Sequence, residues 1–374
     1  MRVNADEAVR YAAAIRDDPA GAVRRWKALS GRKAVGCFPL YIPEEVLCAA
    51  GMLPVTLWGD EFPKAPPANM PSYLCAVVRG AFSSIRGGQW DAIDAWAVPS
   101  TCDSIQNSFE ALKTGGESRP MFPLVFPLSG ELPGSSEYLL DRIEAFVEWA
   151  GSVSGRMVTE GALEKAIVAY NVNRRMFAML EERMAETPGI FTAAEFLHLA
   201  RAGSLLPKET HSEMLRAVLE HRAARGNIPR SRIFLTGMLA TDDVATALDG
   251  AGAAVVGNDL GRGRRYYDGR ATETGDAAIA LVRRHLSRET CSTLHWAGRA
   301  RIDSLFRRVA SCGADRLLLL RVRQCEPETG DAPDIAAEAA ARGVPFMAVD
   351  VDPGCSGAGA SLAVRIGAFV EMGG

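Results

Sequence analysis

Apolar runs of strand length fall into two separate groups along this chain, and the stretch between them offers helices with few strand candidates. The first group is KAVGCF, MLPVTLW, AIDAWAV and PMFPLVFPL; the second is RIFLTGML, GAAVVGNDL, RLLLLRV and PFMAVDVD. Continuous apolar runs mark strands covered on both faces, and the helical patterns between them supply the crossovers of a parallel sheet. From about Tyr138 to Arg225 the periodicity turns helical, as in YLLDRIEAFVEWAG, EGALEKAIVAYNVNRRMFAMLEERMAE and SEMLRAVLEHRAARG. The expectation is an α/β chain of two open parallel-sheet domains, 1–137 and 226–374, joined by a helical linking segment over 138–225. Ligands of open parallel sheets sit at the carboxyl ends of the strands, so two such domains face to face make a cleft there.

The 374 residues carry 42 basic and 45 acidic side chains, a net charge of −3, which offers no basic face for nucleic acid. The N-terminus MRVNADEAVRYAAAIRDD is charged and amphipathic without an apolar signal region, and no window approaches the eighteen or so apolar residues of a membrane span. Eight cysteines without a secretory signal point to a reducing, cytoplasmic setting in which burial, catalysis or metal binding comes before disulfides. The runs RSRIF, GRGRR and RRHLSRE read as solvated faces or as contacts between subunits in so balanced a chain. GNDLGRG lacks the GxGxxG order of a nicotinamide site.

Three cysteines stand at element ends that should face the cleft. Cys102 follows AWAVPST and precedes a helix that Asp103 or Ser104 could cap; a thiol near a helix start is expected to have a lowered pKa. Cys325 follows LLLLRVRQ, and Cys75 lies near the start of the helix in YLCAVVRGAFSSIRG. No CxxC pair occurs, so zinc-ribbon and ferredoxin spacings are absent. The residue chemistry allows either a three-thiolate metal site or plain burial in the core. Cys48 and Cys312 read as packing residues in helices, while Cys37, Cys291 and Cys355 sit in looser settings.

The order of GCFPLYIPEEVLCAAGMLPV, LCAVVRGAFSSI, VPSTCDSIQN, YNVNRRMF, NDLGRGRRYYD and CSTLHWAGRARIDSLFRRVASCGADRLLLLRVRQCEPE resembles the benzoyl-CoA reductase and 2-hydroxyacyl-CoA dehydratase family over nearly the whole chain. The wording is most similar to the smaller benzoyl-CoA reductase subunit. The resemblance implies two flavodoxin-like domains with a [4Fe–4S] cluster held between them by Cys75, Cys102 and Cys325. It also implies a second related subunit, a separate ATP-hydrolysing iron–sulfur activator and an acyl-CoA substrate. The expected activity is ATP-dependent reduction of an aromatic acyl-CoA, with 2-hydroxyacyl-CoA dehydration or double-cubane electron transfer as alternatives. Double-cubane relatives resemble the chain at Cys37, Cys75, Cys102, Cys291 and Cys325, but a further cysteine of theirs is missing from the NDLGRG loop beside Gly261.

For proton donation near a thioester the sequence offers Glu44 and Glu45 at a helix start, where they could instead only complement the helix dipole, and His295 in STLHWAG. Arg264 and Arg265 could meet CoA phosphates or form an exposed basic pair.

Overall fold

The computed structural model describes residues 4–62, 73–127, 129–223, 228–289, 291–294, 299–353 and 359–372. His295 and Cys355, named above as candidates, lie outside the described residues.

Two helices open the chain, α1 (Ala5–Asp17) and α2 (Pro19–Ser30). Asn4 and Glu7 form a reciprocal capping box that satisfies the orphan amides at the start of α1. The first sheet and its helices follow as β1 (Ala34–Cys37), α3 (Glu44–Ala49), β2 (Leu53–Thr56), α4 (Ala76–Arg86), β3 (Ala95–Pro99), α5 (Asp103–Gln106), α6 (Ser108–Thr114) and β4 (Met121–Leu124). Four helices come next: α7 (Ser135–Ser154), α8 (Glu160–Glu186), α9 (Ala193–Ala202) and α10 (Lys208–His221). The second sheet is assembled from β5 (Ser231–Gly237), α11 (Asp242–Gly250), β6 (Ala253–Leu260), α12 (Ala277–Leu286), α13 (Ala300–Ser311), β7 (Arg316–Val322), α14 (Glu326–Ala341), β8 (Phe346–Val351) and α15 (Gly359–Glu371).

Both sheets are wholly parallel, with orders β2-β1-β3-β4 and β6-β5-β7-β8. All eight expected strands are present. Each sheet reverses its winding direction beside its first strand, so each has a switch point at the carboxyl ends of β1 and β3, or of β5 and β7. Every residue of β1, β2 and β3 is buried, which explains their unbroken apolar runs.

One continuous core runs from Ala8 in α1 through both sheets to Val370 in α15, and a smaller cluster of Phe234, Leu305, Phe306, Leu317 and Ile335 lies under α13 and α14. The buried face of α8 carries Leu163, Ile167, Phe177, Leu180 and Met184 at helical spacing, interrupted midway by the buried polar set Tyr170, Asn171, Asn173 and Arg174. Two local expectations are corrected. The helix expected after Cys102 is split at Asn107 into α5 and α6, and α9, with its Thr192–Glu195 capping box, was not among the expected helices. Among the described residues no helix is long and apolar enough to cross a membrane.

The start of α4 is placed by contact between backbones. A Cβ added at Gly80 would lie 1.9 Å from the carbonyl oxygen of Gly59, itself at φ +78°. Neither partner is a side chain that can swing away, so Gly80→Ala should destabilise the fold by about 1–3 kcal/mol through overpacking. Urea unfolding measures this, and an unchanged midpoint would contradict the close approach.

Candidate functional site

Cys75, Cys102 and Cys325 are each the N-cap residue of a helix: α4, α5 and α14 respectively. This corrects the expectation that Asp103 or Ser104 caps α5. Cys102 follows β3 and Cys325 follows β7, so the two cysteines occupy the same topological position in the two sheets. Cys75 reaches them because the amide of Ala76 donates to the carbonyl of Arg323 at 3.0 Å, tying the start of α4 to the loop that delivers Cys325. Gln324, immediately before Cys325, turns that loop with φ +60°.

The three thiols come together electrostatically. Cys75 and Cys325 are neighbours whose thiols act on one another, lowering the pKa of Cys75 and raising that of Cys325. Cys102 senses the charge of Cys75, but burial dominates and pushes its thiol up to about 11, overturning the expectation of a lowered pKa there. No sulfur closes a full capping hydrogen bond, yet the amides of Val77 and Val78 favour the thiolate of Cys75, those of Ile105 and Ser104 that of Cys102, and that of Glu328 that of Cys325. Three converging helix starts thus direct positive partial charge at three sulfurs.

Among the described residues no group of His, Cys, Asp or Glu side chains is arranged to hold a single metal ion. A three-cysteine cubane asks for a different arrangement, in which each thiolate takes its own iron and the sulfurs stand around an inorganic core. Three free cysteines with amide donors fit that demand in chemical character, with the Glu328 carboxylate close enough to act on Cys75 and Cys325.

Cys102 is partly exposed at the edge of a cleft of about 650 Å³ lined by Thr101, Phe126, Leu132, Tyr138 and Leu294. On the side of Cys325 a second cleft, about 620 Å³, carries Arg79, Arg321, Arg323 and Gln324. Buried Glu328, in the first turn of α14, was missed by the sequence reading, since an acid there looks like an ordinary partner of the helix dipole. Burial raises its carboxyl to about 7, against the pull of Arg265 at 3.8 Å.

Glu44 and Glu45 are buried, at 4% and 0% exposure, so they do more than complement the dipole of α3. Glu44 accepts hydrogen bonds from Thr56 Oγ1 (2.6 Å), Tyr170 Oη (3.1 Å) and Tyr266 Oη (2.7 Å) and pairs with Lys208 at 3.2 Å. Glu45 accepts from Arg174 and lies 4.0 Å from Arg284. Burial alone would raise the Glu45 carboxyl, but Arg174 and Arg284 outweigh it and hold its pKa at about 2. Neither glutamate lines the clefts beside Cys102 and Cys325.

The arginine runs are corrected most. Arg265 is buried and donates to Asp259 at 3.0 Å, while Arg264 pairs with Glu181 at 2.9 Å, so they are not an exposed basic pair. Arg262 is bound to Asp60 at 2.6 Å, and Arg284, His285 and Arg288 are all buried. Cys37 is fully buried in β1, and Cys291 is buried with its Sγ 2.6 Å from Tyr41 Oη. Cys48 and Cys312 are partly buried in helical contexts, as packing residues can be.

The family model described as 2-hydroxyglutaryl-CoA dehydratase, D-component, matches residues 39–372. The chain is 26% identical over 341 residues to the (R)-phenyllactyl-CoA dehydratase beta subunit of Clostridium sporogenes, covering 90% of this chain and 91% of that one. It is 25% identical over 370 residues to a benzoyl-CoA reductase subunit of Thauera aromatica, covering 92% of each. Identity to the (R)-2-hydroxyglutaryl-CoA dehydratase beta subunit of Acidaminococcus fermentans is 23% over 344 residues, covering 89% and 90%. With the expected strands in place and a family match running almost from end to end, the chain belongs to the 2-hydroxyglutaryl-CoA dehydratase D-component family.

Proposed function

We propose that this chain is the [4Fe–4S]-bearing subunit of a two-subunit enzyme that delivers single low-potential electrons to a CoA thioester. What supports the reading is that Cys75, Cys102 and Cys325 each stand at the start of their own helix, the last two after corresponding strands of the two sheets, with Cys75 near enough to act on both of the others. Those three cysteines would hold the cluster, which when bound supplies one-electron chemistry at low potential. The chain's own residues do the rest. Amides at the three helix starts stabilise negative charge on the sulfurs, and burial of Cys75 and Cys325 keeps water from that side. The cleft beside Cys102, of mixed polar and apolar lining, is where an acyl thioester or the partner subunit would approach.

The comparisons support an enzyme subunit; the reaction is the finer question. Aromatic acyl-CoA reduction is supported by the Thauera relative, and dehydration of a 2-hydroxyacyl-CoA by the family description and the dehydratase beta subunits at similar identity. By the same likeness the partners would be a second related subunit and an ATP-hydrolysing iron–sulfur activator, in the cytoplasm. Reconstitution with these partners separates the reactions: a dienoyl product from benzoyl-CoA supports the reductase, and an enoyl product from a 2-hydroxyacyl-CoA supports the dehydratase. We assign Glu44 and Glu45 a positioning role, because their hydrogen bonds and ion pairs fix the turn between β1 and α3. His295 stays a candidate proton donor by its motif alone.

Two outcomes are expected. Chain purified without air should carry about four irons and matching acid-labile sulfide, and Cys102→Ala or Cys325→Ala should lose most of both; full iron retention would remove these residues as ligands. Separately, the Glu45 carboxyl has a folded pKa of about 2, below its ordinary 4.5, so its stabilisation is present above pH 4.5 and disappears as pH falls through 2. That contribution is about 3 kcal/mol. Glu45→Gln should therefore be less stable at pH 7 by about 3–5 kcal/mol, because Arg174 is left buried without its partner. The difference should shrink steadily on acidification in denaturant titrations, and a difference that is independent of pH would refute the ion-pair account.

A further inference from the structure

A small cavity of about 30 Å³ lies at the carboxyl ends of β1 and β2, bounded by the loop Phe38–Ile42, by α3 and by residues of α8, α10 and α12. Its charges do not balance. Four cations line it, Arg174, Lys208, Arg284 and Arg288, against two carboxylates, Glu44 and Glu45. Lys208 is matched by Glu44 and Arg174 by Glu45. Arg284 approaches Glu45 only to 4.0 Å and otherwise donates to the carbonyls of Gly269 and Asp268.

Arg288 has no carboxylate partner among the described residues. It donates from Nη1 to the carbonyl of Arg265 at 3.2 Å, sits 4.6 Å over the ring of Tyr41, and leaves Nε without an acceptor. Asp268, the next acid nearby, is shared by Arg264 at 3.6 Å and Arg308 at 3.9 Å. Burying a cation without a counterion is costly, and burial together with the neighbouring arginines lowers the pKa of Arg284. The cavity also presents the opposite defect, since Glu45 Oε2 is buried and accepts no hydrogen bond. A ligand that corrects both defects must bring negative charge to the arginines and one proton donor to Glu45.

Size narrows the choice, because a cavity of this volume holds about two or three water-sized groups. We propose that it binds a small oxyanion retaining one O–H, of which bicarbonate is the type, with anionic oxygens on Arg284 and Arg288 and the hydroxyl on Glu45 Oε2. The place agrees with the general side on which ligands of open parallel sheets bind, the carboxyl ends of the strands, although it lies between β1 and β2 rather than at the β1/β3 switch point. The proposal stands apart from the iron–sulfur reading, since none of its residues is a proposed cluster ligand.

The test uses the full chain at constant pH and ionic strength, with sodium bicarbonate replacing sodium chloride in a closed vessel. The expected result is a saturable rise in Tm of roughly 2 °C or more, in iron-loaded and iron-free protein alike. Formate, which has the charge and nearly the size but no O–H, should bind about tenfold more weakly. Arg288→Gln should lose bicarbonate affinity by about tenfold or more on the same grounds. Bicarbonate acting no better than chloride would overturn the site. Formate matching bicarbonate would overturn the role of Glu45 Oε2, and a folded Arg288→Gln chain with undiminished affinity would overturn that of Arg288. The formate and chloride comparisons need only the unaltered chain, so they decide the matter even if the variant does not fold.

Discussion

Buried charge pairing across the seam between the first sheet and the rest of the molecule sets the geometry on which everything else rests. The acids come from loops and helix starts around β1 and β2: Glu44, Glu45 and Asp60. Their cations come from later in the chain: Arg174 on α8, Arg201 on α9, Lys208 on α10 and Arg262 after β6. An ion withdrawn from water costs several kcal/mol unless it meets its partner with good geometry. A sliding or tilting of one sheet against the other would leave several such ions unpaired together, whereas apolar contacts alone would tolerate the shift. The seam thus selects one relative placement of β3 and β7, and with it the approach of both Cys102 and Cys325 to Cys75.

The thiol arrangement exploits a property of helix starts that serine and aspartate normally conceal. An N-cap serine uses its own oxygen to satisfy the amides of the first turn. A cysteine there caps poorly, so the amides keep some capacity for anything negative held at the sulfur. Repeating this at α4, α5 and α14 gathers amide donors from three elements at one place without adding a single buried cation. The raised pKa of Cys102 is the counterweight, because burial at that position outweighs the amides of Ile105 and Ser104. A positively charged metal centre would reverse that balance for each thiolate it bound.

The eight strands were readable because burial on both faces leaves a signature in consecutive residues, and the cysteines at the ends of β3 and β7 could be placed from it. What was not readable depended on tertiary partners. GRGRR and RRHLSRE have the composition of solvated faces, and nothing within either run reveals that Arg262 meets Asp60, or that Arg265 meets Asp259. Glu328 hides for the same reason, as do Tyr266 and Lys208, which complete the shell of Glu44. The missed α9 is different. Its TAAE start, Thr192 to Glu195, is a capping box that local reading can detect, whereas the break at Asn107 within a long helical pattern has no equivalent mark.

The polar interruption in the buried face of α8 joins these themes. A helix meant only to cover a sheet would continue Leu163, Ile167, Phe177 and Leu180 with further apolar residues. Instead Tyr170 and Arg174 reach Glu44 and Glu45, while Asn171 donates to the carbonyl of Ala271 at 2.7 Å and accepts from its amide at 3.1 Å. Replacing such a network by well-packed apolar groups is often neutral or stabilising, so stability alone does not account for it. It does accomplish something apolar packing cannot, by holding a cluster of charges dry and oriented at the carboxyl edge of a parallel sheet. An unpaired donor on Arg288 and an unpaired acceptor on Glu45 remain in that otherwise well-satisfied network. A donor and an acceptor left open on opposite charges that line the same small cavity are what a pocket shaped around a ligand would leave.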